Sequence, residues 1–425
     1  AAMGWRPGVY HSNEGHAGFL ALELIDAHRR PGKARDLHTA VDQVQPHVLF
    51  TTHTPVPAGI DRFDRGMIEP YLRPWAAAWR DDMGELLGLG AEADHNVFNM
   101  AALCLRVSSR ANGVSKLHGE VSRELFSAIP GGAEITSITN GVHGRTWISP
   151  ELQFLLDDHL GRGWDLGEAD AWAHIDDIPT DSIVATRQAT RRQLAALVAG
   201  QGHELERDAL VFGFARRFAT YKRATLLLRD RERIAALLAD DDHPVHIVFA
   251  GKAHPADEPG KALLREIVAF ANSPEANGRF TFVPDYDIEV ARGLYYGSDV
   301  WLNNPIRPRE ASGTSGEKAA LNGALNCSIR DGWWAEMSDG TNGWDIPISP
   351  ALDEAVRDDE EAAAMVGLLG EIAAEFHADE RGVPSAAWIA RMRHNWTTLG
   401  PQVLATRMVA DYRDRLYQPM LDALK

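Results

Sequence analysis

The sequence is poor in cysteine: Cys104 and Cys327 are its only two, and they stand far apart, so no disulfide framework is expected. It has no run approaching the ~18 apolar residues that a membrane-spanning helix requires. Its amino end shows no basic segment followed by an apolar core and a small-residue cleavage site. These absences together point to the cytoplasm. Positive charge is also in deficit, with 43 Lys and Arg against 60 Asp and Glu, a formal net charge of −17. Such a balance repels nucleic acid and anionic membranes, whereas a neutral polymer is not repelled. Any anionic ligand must therefore be drawn by a local basic cluster. Metal ligation finds no support either. His11 and His16 are five apart, and no Cys/His group has zinc-like spacing. No G-x-x-x-x-G-K-[ST] run occurs, and no G-x-G-x-x-G opens a helix after a strand.

What is present is the composition of a globular protein, 45% apolar and 24% charged, over 425 residues. That length accommodates two or three domains with full cores. Val48 to Phe50 reads as a buried strand entering a loop at Thr51-Thr52-His53. The stretch 99–126 reads as two helices separated near Asn112-Gly113, and 135–138 as a short strand ending at the Asn140-Gly141 turn pair. From 181 onward apolar strands alternate with amphipathic helices. Strands are expected at 210–214, 245–250, 280–283 and 299–302, in βαβ units with a parallel sheet. The chain from 351 is helical. The expected organisation is a first domain over 1–150, a connection over 151–180, a second domain over 181–383 and closing helices over 384–425.

Three constellations carry chemistry. Arg216-Arg217-Phe218-Ala219-Thr220-Tyr221-Lys222-Arg223 follows the 210–214 strand, with Thr220 as an expected helix N-cap and Lys222 in the first turn. Cations there oppose the helix dipole unless an anion shares the site, which suggests a phosphate site. A solvated basic turn fits the same residues. The second run, Arg309 to Gly323, follows the 299–302 strand and leads into a helix expected to begin near Glu317. Its small residues let backbone N–H groups approach an anion. Lys318, expected in the first turn, makes sense if it is covalently engaged, as in a Schiff base. The alternative is a flexible turn with an exposed lysine. The third set is Glu14, His16, His53 and Asn140, each after a candidate strand and suited to sugar hydroxyls, or simply structural.

These residues resemble a known family. Glu310-Ala-Ser-Gly-Thr-Ser-Gly-Glu-Lys318-Ala-Ala-Leu-Asn322-Gly323 resembles the pyridoxal-phosphate attachment segment of the α-glucan (glycogen and maltodextrin) phosphorylases, in its shorter bacterial and archaeal branch. Further matches follow in order: Asn13-Glu-Gly-His16, Thr52-His53-Thr54, Asn99-Met100-Ala101, Asn112-Gly113-Val114, Thr139-Asn140-Gly141, Arg217 with Tyr221-Lys222-Arg223, and Tyr286. The resemblance covers nearly the whole chain. It implies an α/β fold of two Rossmann-like doubly wound domains, the GT-B glycosyltransferase architecture, with a helical carboxy terminus that packs back on the first domain. It implies phosphorolysis of α-1,4-glucan to α-D-glucose 1-phosphate with retention. Lys318 would form an imine with pyridoxal 5′-phosphate, whose own phosphate does the acid–base work. Gly313 and Thr314 would hold that phosphate, with Arg216 and Tyr286 near the cofactor. Arg217 and Lys222 would clamp the substrate phosphate. Glu310, Ser312 and Gly313 would bind glucosyl hydroxyls, and Asn140 the O6 group. The His53 carbonyl would face the developing oxocarbenium ion, and Glu14 and His16 would line the glucan side of the cleft.

Two substitutions depart from the family pattern. Arginine stands at 216 where many members have lysine, and Ser315-Gly316-Glu317 replaces the Gly-Asn-Met of muscle-type members. The family's glycine-rich loop, which contributes to the phosphate site, has no match here. The first domain is therefore expected to be incomplete, with exposed sheet edges and reduced activity. Two other readings remain at this level: a nucleotide-sugar glucosyltransferase, which would not need Lys318, and an inactive glucan-binding remnant. Implied partners are α-1,4-glucan and inorganic phosphate, with a homo-oligomer implied by the frequent dimers of the family.

Overall fold

The computed structural model describes residues 4, 7–29, 36–79, 83–92, 94, 96–167 and 169–425. Ala1–Met3, Trp5 and Arg6 lie outside the described residues. Twelve strands are described: β1 (Tyr10–Asn13), β2 (Val48–Thr51), β3 (Arg62–Asp64), β4 (Val97–Asn99), β5 (Arg110–Gly113), β6 (Ile135–Ser137), β7 (Leu210–Ala215), β8 (Val245–Ala250), β9 (Phe280–Val283), β10 (Val300–Asn303), β11 (Leu325–Ser328) and β12 (Gly343–Asp345). The fold is mixed α/β with parallel sheets, in two compact units. One unit holds residues 1–140, 308–312 and 408–425, and the other 141–307 and 313–407. Among the described residues no helix is long and apolar enough to cross a membrane.

In the first unit the sheet order is β1-β2-β5-β6, all parallel, and β3 and β4 form an antiparallel ribbon. The two helices expected over 99–126 are present, and the break between them near Asn112-Gly113 holds a strand that the sequence reading did not include. Helices Met100–Arg106 and Lys116–Leu125 flank β5, so Asn112-Gly113 ends a strand. Arg-Ala-Asn-Gly has no apolar run, yet it sits mid-sheet because its polar group is paired. Asn112 accepts from Thr51 Oγ1 at 2.7 Å and donates to the Tyr412 hydroxyl at 3.0 Å. His11 joins the same network through Thr51 Oγ1 at 2.7 Å and the Tyr417 hydroxyl at 2.8 Å. Tyr412 and Tyr417 come from the chain's last helical segment, which packs on Leu49 and Ile138 of this unit.

Because Thr51 Oγ1 donates to Asn112, it accepts from His11 Nε2–H, and His11 Nδ1 then accepts from Tyr417. A neutral ring suits this arrangement. Burial first, then the nearby His53, draws the His11 pKa down to about 4. Burial does the same to His118, also to about 4, and to His246, to about 3. All three sit below the unfolded value of 6.5. Their contribution is therefore complete above pH 6.5 and is lost as pH falls from there toward their folded values. Between pH 7 and pH 5 each is expected to cost roughly 1–2 kcal/mol of stability. Urea unfolding at the two pH values checks this; equal midpoints would contradict it.

In the second unit six parallel strands run in the order β12-β11-β10-β7-β8-β9. β7 and β8, Leu-Val-Phe-Gly-Phe-Ala and Val-His-Ile-Val-Phe-Ala, are buried at every position, as central parallel strands are. Gly213 allows close packing within this layer, since a Cβ there would meet Ser298 Oγ at 2.2 Å. The chain winds outward from β7 to β9, then returns to β7's other side with β10. That reversal opens a crevice at the carboxyl ends of β7 and β10, the usual ligand position in such sheets. The stretch 151–180, expected as a connection of weak periodicity, holds helix Pro150–Leu160 and the 3₁₀ segment Ala169–Asp177. Trp164 and Trp172 there are fully buried and meet edge to face at 5.8 Å.

Candidate active site

The runs 216–223 and 309–323 leave the carboxyl ends of neighbouring strands, one after β7 and one after β10. The helix carrying Lys318 is Thr314–Leu321, so it starts three residues before the expected position. Gly313 is its N-cap with φ +89°, a left-handed conformation that glycine adopts without strain. Lys318 consequently lies in the second turn, and the dipole argument made from sequence does not apply to it. Its amine is held below the usual lysine range by burial, against the opposing charge of Glu317. The Nζ atom sits 3.8 Å from the centroid of the Trp147 ring and 5.7 Å from that of Tyr295. Trp147 and Tyr295 are themselves edge to face at 5.7 Å.

Asn322 fixes this platform. Its Nδ2 donates to the Trp147 carbonyl at 2.7 Å and to the Lys318 carbonyl at 2.8 Å, while its Oδ1 accepts from Ser149 N–H at 2.9 Å. Both N–H donors and one lone pair of the oxygen are used in a fully buried amide. Tyr286 is half-buried and bonded to Tyr295, and burial raises both phenols. The charge of Arg216 acts on both in the opposite sense. Arg216, Tyr286 and Lys318 are thus gathered around one aromatic cluster.

Thr220 does not cap a helix. Residues Thr220–Lys222 form a single 3₁₀ turn with Ala219 as N-cap, stopped by Arg223 in the left-handed region at φ +48°. Lys222 is 9% exposed, its Nζ 4.8 Å from the Tyr221 ring centroid. Arg217 is exposed. Arg223, crowded with them in sequence, points elsewhere. It donates to the carbonyls of Asn304 and Pro305 and pairs with Asp358 and Glu361, so its role is structural.

In the first unit Glu14 is the organiser. It follows β1 at φ +73°, and its carboxylate accepts from three donors: Gly15 N–H at 2.8 Å, His53 N–H at 2.7 Å and Thr54 Oγ1 at 2.9 Å. His53 Nε2 donates to Asn13 Oδ1 at 2.6 Å. Burial lowers the His53 pKa, Glu14 raises it, and the exposed His16 lowers it. Replacing Glu14 by Ala strands these donors. The expected cost is about 1–3 kcal/mol in urea unfolding; a loss within error of zero would show the carboxylate to be dispensable.

Glu310 and Ser312 are buried in the segment Pro308–Ser312, which belongs to the same unit. Ser115 tethers it: its hydroxyl donates to the Ala311 carbonyl at 2.7 Å and accepts from His118 N–H at 3.1 Å. Asn140 is half-buried, its N–H donating to the Val114 carbonyl at 3.1 Å. Sequence reasoning assigned no role to Trp147, Asn322, Ser115, His118 or Tyr295. Asn322 lay inside a quoted motif, but nothing in the motif discloses its partner 175 positions away.

The carbohydrate phosphorylase family model matches residues 33–345. The chain belongs to the carbohydrate phosphorylase family. Among its phosphorylase relatives, the glycogen phosphorylase of Mycobacterium tuberculosis is 44% identical over 99% of this chain and 52% of its own length. The maltodextrin phosphorylase of Thermococcus litoralis is 38% identical, again over 99% of this chain and 52% of its own length. The glycogen phosphorylase of Aquifex aeolicus is 35% identical over 99% and 64%. This chain spans about half the length of these first two relatives.

Proposed function

We propose that the chain carries out phosphorolysis of α-1,4-glucan, releasing α-D-glucose 1-phosphate with retention, as a cytoplasmic glycosyltransferase. The observation that carries this reading is the placement of Lys318: a half-buried amine with a lowered pKa, on an aromatic platform, five residues after a left-handed glycine that begins a helix. A lysine that exchanges its charge readily and sits in an apolar niche is suited to attach a carbonyl cofactor. The residues fit pyridoxal phosphate. Lys318 would hold it covalently, the Gly313 and Thr314 N–H groups would receive its phosphate, and Arg216 and Tyr286 would flank it. When bound, this cofactor supplies a phosphate acid–base group.

The chain's own residues handle charge and position. Lys222 and Arg217 hold inorganic phosphate, offsetting the repulsion between neighbouring anions. That phosphate protonates the leaving glycosidic oxygen and then attacks the anomeric carbon from the same face. Glu310, Ser312 and Gly313 bind glucosyl hydroxyls, Asn140 binds O6, and Glu14 and His16 contact the glucan. By gripping His53 N–H and Thr54 Oγ1, Glu14 holds both residues of the His53–Thr54 peptide, whose carbonyl faces the developing positive charge. The six-stranded order supports a Rossmann-like cofactor domain over 181–383, and the four parallel strands a Rossmann-like glucan domain within 1–150, in the GT-B manner.

Lys222→Ala is expected to raise KM for phosphate by ten-fold or more while glucan affinity changes little, a loss of ~1.4 kcal/mol or more. Initial rates with each substrate varied in turn check this. An unchanged phosphate dependence would remove Lys222 from the clamp.

A further inference from the structure

The second unit holds a cavity of about 480 Å³ that the chemistry above does not use. Its lining includes Asp299, just before β10, and Leu205 and Arg207, before β7. It therefore lies at the amino ends of the strands, opposite the ends that carry Arg216 and Lys318. Its walls bring Arg187, Arg191, Arg192 and Arg207 together with a single carboxylate, Asp299. In a chain with a net charge of −17 this is a local reversal of sign.

The four arginines divide by role. Arg187 donates to the carbonyls of Tyr296, Asn322 and Ser298, and together with Arg191 it pairs with Asp299. One aspartate thus serves two guanidinium groups. Arg192 and Arg207 are exposed and meet no carboxylate among the described residues; Arg192 Nε donates only to the Ala189 carbonyl at 3.3 Å. The lining also has an apolar part that includes Leu205, Phe376 and Pro384. Guanidinium forks match phosphate oxygens in geometry and charge. An apolar wall beside them favours a ligand with a hydrocarbon or ring portion over a bare anion.

We infer that this cavity is a second ligand site, for a small organic phosphate whose anionic end meets Arg191, Arg192 and Arg207 and whose apolar part rests on Leu205 and Phe376. The inference does not depend on the phosphorylase reading, since no residue of that site takes part.

The test is calorimetric titration of the full chain with phenyl phosphate at low ionic strength. The wild type, Lys222→Ala and the double variant Arg192→Ala/Arg207→Ala are compared, and inorganic phosphate is titrated in parallel. Saturable binding is expected in the wild type and in Lys222→Ala, with at least ten-fold weakening in the double variant and weaker binding of inorganic phosphate. Both substituted arginines are exposed, so the double variant should melt as the wild type does. Absence of saturable binding would overturn the site. So would equal binding by the double variant, or binding lost only in Lys222→Ala. Equal affinity for inorganic phosphate would overturn the organic part of the ligand.

Discussion

Replacing Lys318 by Ala is expected to abolish covalent attachment of pyridoxal phosphate and to lower phosphorolysis by ~10²–10⁴-fold or more, the range associated with loss of a positioned acid–base group. The fold should tolerate the change. Lys318 contributes its cation to the Trp147 face at 3.8 Å, worth about 0.5–2 kcal/mol. Burial of its ammonium opposes that gain, as the lowered pKa records. The two largely offset each other, and Asn322 holds the platform through the Lys318 backbone, which alanine retains. The variant should therefore melt near the wild type while losing activity. Activity within ten-fold of wild type, in a preparation free of carried-over native enzyme, would contradict the role given to Lys318.

The largest stability effect is expected at Arg223, which caps the end of the Thr220–Lys222 turn. Its side chain is nearly inaccessible and ties Asn304 and Pro305 carbonyls to Asp358 and Glu361, the last at 2.6 Å. Asn304 returns a bond to the Arg223 carbonyl at 2.8 Å, so side chain and backbone are held together. Glu361 is 3% exposed and also accepts from Ser349 N–H at 3.1 Å. Arg223→Ala leaves that carboxylate buried without its cation. Breaking such a pair costs about 3–5 kcal/mol. Urea unfolding should show it, and a loss under ~1 kcal/mol would mean that Glu361 finds solvent or protonates cheaply. Lys222 and Arg223 are thus adjacent in sequence but opposite in expectation, one affecting phosphate use and the other the fold.

That contrast also marks what the sequence discloses. β7 and β8 are legible because strands buried on both faces must be apolar throughout. β5, β11 and β12 are not, since Arg-Ala-Asn-Gly, Leu-Asn-Cys-Ser and Gly-Trp-Asp carry polar groups whose partners lie elsewhere. Asn326 in β11, for example, donates to the Gly316 carbonyl at 3.1 Å. Thr220 looks like an N-cap by composition, but Arg223 takes a left-handed conformation and ends the turn after three residues. The chemical motif around Lys318 is readable by its spacing. The cause of its lowered pKa is not, because Trp147 and Tyr295 reach it only through the fold. Ser115 and Asn322 stay hidden for the same reason, with partners 196 and 175 positions distant. Local order is written locally, whereas the shell that holds a site is assembled across the chain.

Borohydride reduction of the protein after incubation with pyridoxal phosphate, followed by peptide mass mapping, tests the central claim most directly. The account predicts one pyridoxyl group, on the peptide that contains Lys318. Label spread over exposed lysines such as Lys252 and Lys425, with Lys318 unmodified, would contradict it.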